Sequence, residues 1–318
     1  LNLSEVKNEY SQFRKTLEKH TRVLFVKDLL EDVLEQETVK QNLISDILNY
    51  EKVQENESYL LSLNASDLAT QLIEGVVMKK DSLTKFFDPE RYSIRPLHNF
   101  FFTRDASSAI GNKVLINRMA KKVRERESLI MESIFNHHPM IETETINSIR
   151  LGNPAPGFKT EGGDILIIRE DVILIGMGVR TSSLGIDFIL DQLKGQKTKK
   201  HIIVQELPET PESFIHLDMI FTMLDKNRAM IYEPVVLSSN QLQTIHIHIE
   251  NGKTEIHAEK NILSALGKLG FDIEPLYCGG RKDIWNQKRE QWHSGTNFFA
   301  IEPGKIIGYG RNEYTIEE

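Results

Sequence analysis

The chain has a single cysteine in 318 residues, which excludes an internal disulfide and a cysteine-built zinc site. It has no excess of positive charge. Its 39 Lys and Arg face 46 Asp and Glu, a net charge of −7, so no field is available to hold a polyanion and nucleic acid is not expected as a partner. Apolar runs such as Ile165 to Ile168 fall far short of the ~20 residues a membrane span needs, and LNLSEVKNEY at the start lacks a signal-peptide apolar core. The expectation is a cytoplasmic protein with no membrane partner, large enough to bury a core in about two domains without covalent staples.

Proline and glycine are nearly missing from the first quarter. All ten Pro lie between Pro89 and Pro303, and of 19 Gly only Gly75 precedes Pro89. That stretch is therefore expected to be mostly helical. Ser4 is placed to cap a helix with Val6, Tyr10, Phe13 and Leu17 on one face, TRVLFVKD (21–28) has the pattern of a strand, and LLEDVLEQ, VKQNLISDILN after Thr38 and DLATQLIEG after Ser66 are helical. From Asn99 onward the text changes to paired apolar runs. Hairpins are expected over 164–178, 218–232, 244–259 and 297–310, the third turning at Asn251-Gly252 as a type I′ turn does. Amphipathic helices at Ser183 to Lys194 and Asn261 to Leu269 lie between them, so a strand–strand–helix–strand unit recurs.

Polar clusters sit at equivalent places in that recurrence. Asp105 ends FFFTRD, Asp164 ends EGGD, Asp218 ends HLD and Asn297 ends HSGTN, at intervals of roughly 50–80 residues. Modules arranged as a ring would bring these strand ends to one centre, gathering Asp105, Glu161, Asp164, His216 and Asp218 into one acidic pocket. Taken singly, each could instead be an ordinary turn or cap residue. Carboxylates around a His are metal ligands or acceptors for a planar cation such as a guanidinium, whose fork of N–H donors pairs with carboxylates two bonds at a time. A strand through His216-Leu217-Asp218 would put His and Asp on one face, and two glycines between Glu161 and Asp164 would allow unusual backbone angles and a close approach.

These residues resemble a known family. FTRD (102–105), EGGD (161–164) before an apolar hairpin, GVRTS (178–182), HLDMIF (216–221) and IEPGKIIGYGRN (301–312), in that order, are similar to arginine deiminases of the guanidine-modifying pentein superfamily. The resemblance implies an α/β fold, a pentein α/β propeller of repeated ββαβ modules over residues 1–28 and 93–318, incomplete at both ends, with a small helical subdomain inserted at 29–92. It implies hydrolysis of L-arginine to L-citrulline and ammonia through a Cys thiouronium intermediate, in arginine catabolism, by a homo-oligomer without metal or organic cofactor. By motif position Asp105 and Asp218 would clamp guanidinium nitrogens, Glu161 would stand beside His216, and His216 would serve as general acid and then base. Arg180, Arg124 and Asn99 would bind the α-carboxylate, with Asp164 as a supporting carboxylate at the substrate. A silent guanidine- or protein-binding pentein, an amidinotransferase and another guanidine hydrolase are the alternatives.

Family members carry the nucleophilic Cys on a late glycine-rich loop. Cys278 in LYCGGRKD precedes the QWHSGTNFFAIEPG segment and is expected to be an ordinary core thiol, with the nucleophile beyond residue 318 and this 318-residue piece inactive. His246 and His248 share one strand face, but with no third ligand at fixed spacing they are expected on the exposed side of a hairpin that buries Ile245, Ile247 and Ile249. The lysines of KGQKTKK (194–200) have no aromatic neighbours and read as a solvated loop.

Overall fold

A computed structural model of the chain describes residues 2–152, 155–195, 198–238 and 241–318. The chain divides into two compact units, residues 1–100 with 129–142 and residues 101–128 with 143–318.

The first unit is helical, as the scarcity of Pro and Gly requires. Helices Val26–Leu34, Glu37–Glu51 and Ala65–Glu74 bury Leu30, Val33, Leu43, Ile44, Ile47, Leu68 and Leu72 in a common core. The last helix stops at Gly75, whose φ of 88° favours glycine and whose missing Cβ would lie 2.6 Å from the Ile94 carbonyl. Two local expectations are corrected. Residues 21–28 form no strand: Val26 opens a helix, because Val26, Leu30, Val33 and Leu34 keep helical spacing and outweigh the short β-branched run. Ser4, Thr38 and Ser66 are not the caps expected: Asn2 and Asn64 are the N-caps of the helices that hold Ser4 and Ser66, each accepting from a backbone N–H of the first turn, and Thr38 lies inside a helix that follows Gln36.

The second unit repeats one topology. Strands Ser107–Ile110 and Lys113–Ile116 form a hairpin, and Glu144–Asn147 returns parallel to the second strand after the helix Glu125–His137, whose residues from Leu129 on belong to the first unit. Ile165–Arg169 and Val172–Met177 form the next hairpin, joined in parallel by Lys200–Glu206 after the helix Ser183–Lys194. Phe221–Asp225 and Arg228–Ile231 form a third, joined in parallel by Glu274–Tyr277 after the helix Ile262–Lys268. The expected ββαβ unit is therefore present three times, followed by a hairpin of Phe299–Glu302 and Lys305–Ile307.

Hairpin Thr244–Glu250 and Lys253–Glu259 extends the second module's sheet to five strands, turning at Asn251 and Gly252 with both φ positive (52° and 74°), as its sequence predicts. One face of that sheet packs Ile173, Ile175, Ile202, Val204, Ile247 and Ile249 on Ile186, Ile189 and Leu190 of the amphipathic helix. The opposite face contributes Leu166, Leu174 and Ile203 to a second core with Leu217, Phe221 and Ile231. These two cores hold rigid the loops at the strand ends, where the polar residues collect. Among the described residues no helix is long and apolar enough to cross a membrane.

Candidate active site

Asp105, Glu161, Asp164, His216 and Asp218, spread over 114 positions of sequence, are all buried in the second unit. Each sits where a module's first strand begins. Asp105 lies in the one-turn helix Thr103–Ala106, ahead of the strand that starts at Ser107. Gly162–Asp164 is a 3₁₀ turn ahead of Ile165, and Leu217–Met219 is another ahead of Phe221. His216-Leu217-Asp218 is thus not a strand: His216 is extended and Asp218 lies inside the tight turn, which still aims both side chains inward.

The glycines of EGGD act by close approach. Neither has a positive φ, contrary to the expectation of unusual angles. A Cβ on Gly162 would stand 1.9 Å from the Arg104 carbonyl oxygen, and one on Gly163 would meet the His216 ring at 2.6 Å. The first two turns consequently pack backbone to backbone, and the third lays the His216 ring on the Gly163 backbone. Two further contacts tie them together: the Arg104 guanidinium donates to the carbonyls of Gly162 and Ile165 at 3.1 Å each, and Asp164 Oδ1 accepts from Leu217 N at 3.0 Å.

Glu161 is at the centre of the charge pattern. Its Oε2 is 3.0 Å from His216 Nε2 and 3.6 Å from Arg124 Nη1, while Oε1 accepts from Ala120 N at 2.9 Å and lies 3.4 Å from Arg180 Nη1. Burial alone would raise its pKa, yet the bonds and charges of His216 and Arg180 hold it below the ordinary carboxylate value. For His216 burial disfavours the cation, but the Glu161 bond and the charges of Asp164, Asp105 and Asp218 prevail and raise it to about 9. The imidazole is therefore protonated at neutral pH. Burial pushes Asp164 up to about 7 and Asp218 upward as well. Asp164 Oδ2 and Asp218 Oδ1 are buried and accept no hydrogen bond within the protein.

Asp105, Glu161 and His216 offer ligand atoms within 4.8 Å of one another, close enough for a metal ion. The protein's own cation is already there. Arg124 Nη1 donates to Asp105 Oδ2 at 2.9 Å, and its Nε and Nη2 grip Glu127 at 3.0 and 2.8 Å. A divalent ion on those oxygens would face this guanidinium directly, whereas a second planar cation could share the acceptors edge to edge.

Residues 1–318, the whole chain, match the family model for arginine deiminase. The chain belongs to that family. Arginine deiminases are hydrolases that act on the C–N bonds of linear amidines, and the repeated ββαβ module is their pentein architecture. The chain is 33% identical to an arginine deiminase of Listeria innocua over 98% of its own length and 79% of that protein's. It is 31% identical to one of Bacillus cereus over 96% of its own length and 78% of that protein's. Among solved structures it resembles an amidinotransferase of saxitoxin biosynthesis from Microseira wollei, with TM-score 0.44 and 14% identity over 67% of this chain and 59% of that one. A dimethylarginine dimethylaminohydrolase gives TM-score 0.41 and 15% identity over 69% and 65%.

The other residues expected in an arginine deiminase site fall as follows. Arg180 is mostly buried and has one long contact, to Glu161. Three donors of Arg124 are committed to Glu127 and Asp105. Asn99 is an exposed turn residue of the first unit. Cys278 is 2% exposed, packs among Leu217, Ile231 and Tyr232, and is pushed up to about 12 by burial, so at neutral pH it is a core thiol and no nucleophile. Sequence reasoning missed Arg104, Glu127 and Thr181, whose hydroxyl accepts from Glu161 N at 3.1 Å. Arg104 and Thr181 stood inside the quoted motifs FTRD and GVRTS. Glu127, three residues after Arg124 on one helical face, could have been found from the spacing alone.

Proposed function

We propose that this arginine deiminase family chain binds L-arginine with the guanidinium between Asp105, Asp218 and Glu161, as part of a hydrolase that forms L-citrulline and ammonia in arginine catabolism. The observation that carries this reading is the unpaired, buried Oδ1 of Asp218, facing a cluster whose other carboxylates already hold one guanidinium. A ligand guanidinium supplies a donor to that oxygen and needs no metal to do so.

The chemistry follows from the protonation states. A thiolate attacks the guanidinium carbon, protonated His216 gives its proton to the departing ammonia, and neutral His216 then takes one from the water that hydrolyses the thiouronium. Glu161 keeps the imidazole charged before the first step. Cys278, a core thiol, is not assigned as that thiolate. Arg180 takes the α-carboxylate, while Arg124 keeps Asp105 oriented and reaches the carboxylate only by giving up one of its present partners. Asp164 holds the His216–Asp218 turn through Leu217 N.

Calorimetric titration of the 318-residue protein tests the reading without turnover. L-Arginine is expected to bind, agmatine, which lacks the carboxylate, more weakly, and neutral L-citrulline more weakly than L-arginine. Asp218→Asn removes a charged acceptor at about 1.5–3 kcal/mol, so the affinity for L-arginine should fall roughly 10- to 150-fold. Equal affinity in wild type and Asp218→Asn would remove the support for this placement.

A further inference from the structure

The helix Ile284–Trp292 turns its polar side inward. It buries Gln287, Glu290 and Gln291 and leaves Trp285 and Trp292 73% and 58% exposed. A buried amide or carboxylate costs free energy unless it is hydrogen-bonded, so a helix with these side chains on its inner face is built to make bonds. Each has its own target. Gln287 Nε2 donates to the Gly280 carbonyl at 2.6 Å, and Glu290 accepts from Tyr314 N and Thr315 N at 3.1 and 2.8 Å. Gln291, in the last turn, reaches the guanidine site. Its Nε2 donates to the Ser213 carbonyl at 2.7 Å and to the Met219 carbonyl at 3.2 Å, so one amide clasps both ends of the segment that carries His216 and Asp218.

A second donor comes from the loop after that helix. Thr296 is wholly buried, and its hydroxyl donates to the Asp218 carbonyl at 3.0 Å. The loop gives it a fixed base. Gly295 N donates to Glu290 O at 2.7 Å, Asn312 Nδ2 donates to His293 O at 3.1 Å, and a Cβ on Gly295 would stand 2.6 Å from Cys278 Sγ.

We propose that Gln291 and Thr296 are positioning residues of the guanidine site, which fix the backbone of residues 213–219 so that the open oxygen of Asp218 stays aimed at the ligand. The inference rests on the placement of L-arginine given above and adds to it two residues that touch no ligand atom. Its physical basis is the brevity of the turn. Leu217–Met219 closes on itself through Met219 N to His216 O and Ile220 N to Leu217 O. Those bonds leave the Asp218 and Met219 carbonyls free, and rotation of either peptide plane swings the Asp218 side chain. Thr296 and Gln291 hold those two carbonyls. An acceptor fixed before the ligand arrives loses no further freedom on binding, which strengthens the complex.

Calorimetric titration of the 318-residue protein with L-arginine tests this, using Gln291→Met and Thr296→Val, which remove the donors and keep the bulk. Each should weaken L-arginine roughly three- to tenfold, the size of one neutral hydrogen bond. Thr296→Ser, which keeps the hydroxyl, should stay within about twofold of wild type, and so should Gln287→Met, which removes an equally buried amide that does not touch the turn. Positioning acts through the Asp218 carboxylate, so in Asp218→Asn the further effect of Thr296→Val should shrink below about twofold, whereas a general loosening would weaken both proteins alike. NMR titration of the His216 ring without ligand gives a readout independent of L-arginine. In both variants its midpoint should move down from about 9 as the ring loses its alignment with Glu161 and the three aspartates. Circular dichroism checks folding, and because the donors come from different segments either variant carries the test if the other fails to fold. A wild-type chain that does not bind L-arginine removes the placement, and the His216 titration then decides the positioning role alone. The proposal is overturned by unchanged L-arginine affinity in both variants, by an undiminished effect of Thr296→Val in Asp218→Asn, or by a His216 midpoint that stays at the wild-type value in both.

Discussion

The protonated state of His216 rests first on Glu161, with Asp164, Asp105 and Asp218 behind it, and Glu161→Gln removes that first partner. The substitution keeps shape and leaves an amide oxygen for Ala120 N, but it takes away the charge that offsets burial of the imidazolium. Without it His216 should fall from about 9 to its ordinary 6.5 or below, because desolvation is the largest single influence on the ring. At about 1.4 kcal/mol per unit of pKa this change corresponds to roughly 3 kcal/mol of interaction, shared with the neighbouring aspartates. Stability should report the same shift. A folded-state pKa raised above the unfolded value contributes stability that is complete below about pH 6.5 and is lost as the pH rises through 9. Urea unfolding of the wild-type chain at pH 6, 7.5 and 9 should therefore show a decline that Glu161→Gln flattens. Direct titration of the His216 ring by NMR reads the pKa itself. A His216 that titrates below 7 in the wild type, or still near 9 in Glu161→Gln, would refute the electrostatic account.

Three further outcomes are expected. Gly163→Ala places a methyl 2.6 Å from the His216 ring and should cost about 1–3 kcal/mol in urea unfolding and displace the ring's NMR shifts; an unchanged spectrum would show that the turn has slack. A bound cation lowers the raised pKa values of Asp164, about 7, and Asp218, so L-arginine binding at pH 6.5 should release protons and tighten with rising pH, read by calorimetry in buffers of different ionisation enthalpy; proton uptake would contradict it. Cys278 should react with a thiol reagent only as fast as the protein unfolds, and Cys278→Ser should leave L-arginine affinity unaltered; rapid labelling of the folded chain would reopen its candidacy as nucleophile.

What the sequence made legible were features with a local cause. The hairpin at Asn251-Gly252 needs two positive φ angles, and Asn-Gly is the pair that supplies them cheaply. The helix Ser183–Lys194 announces itself through Ile186, Ile189, Leu190 and Leu193. Motif spacing then indicated that Asp105, Glu161, Asp164, His216 and Asp218 share a place. The roles of the two EGGD glycines were not legible, since nothing local reveals that the Arg104 carbonyl and the His216 ring arrive against them from 58 and 53 residues away.

Arg124 is the most instructive of the residues whose type was noticed and whose contacts were not. An arginine near a substrate site is naturally assigned to the substrate's carboxylate, yet here Glu127 takes two of its nitrogens and turns the third onto Asp105. The result is an internal test of what the carboxylates accept. A guanidinium edge fits at 2.9 Å from Asp105 and 3.6 Å from Glu161, and the neighbouring carboxylates keep it charged despite burial. The cluster still holds two carboxylate oxygens without donors, on Asp164 and Asp218, both on groups that burial pushes toward protonation. In the proposed placement a second guanidinium pairs with the open Asp218 oxygen while leaving the Arg124 contacts intact. In that placement, preference for a planar cation over a divalent ion would follow from the protein's own guanidinium standing against the Asp105 and Glu161 oxygens that such an ion would need.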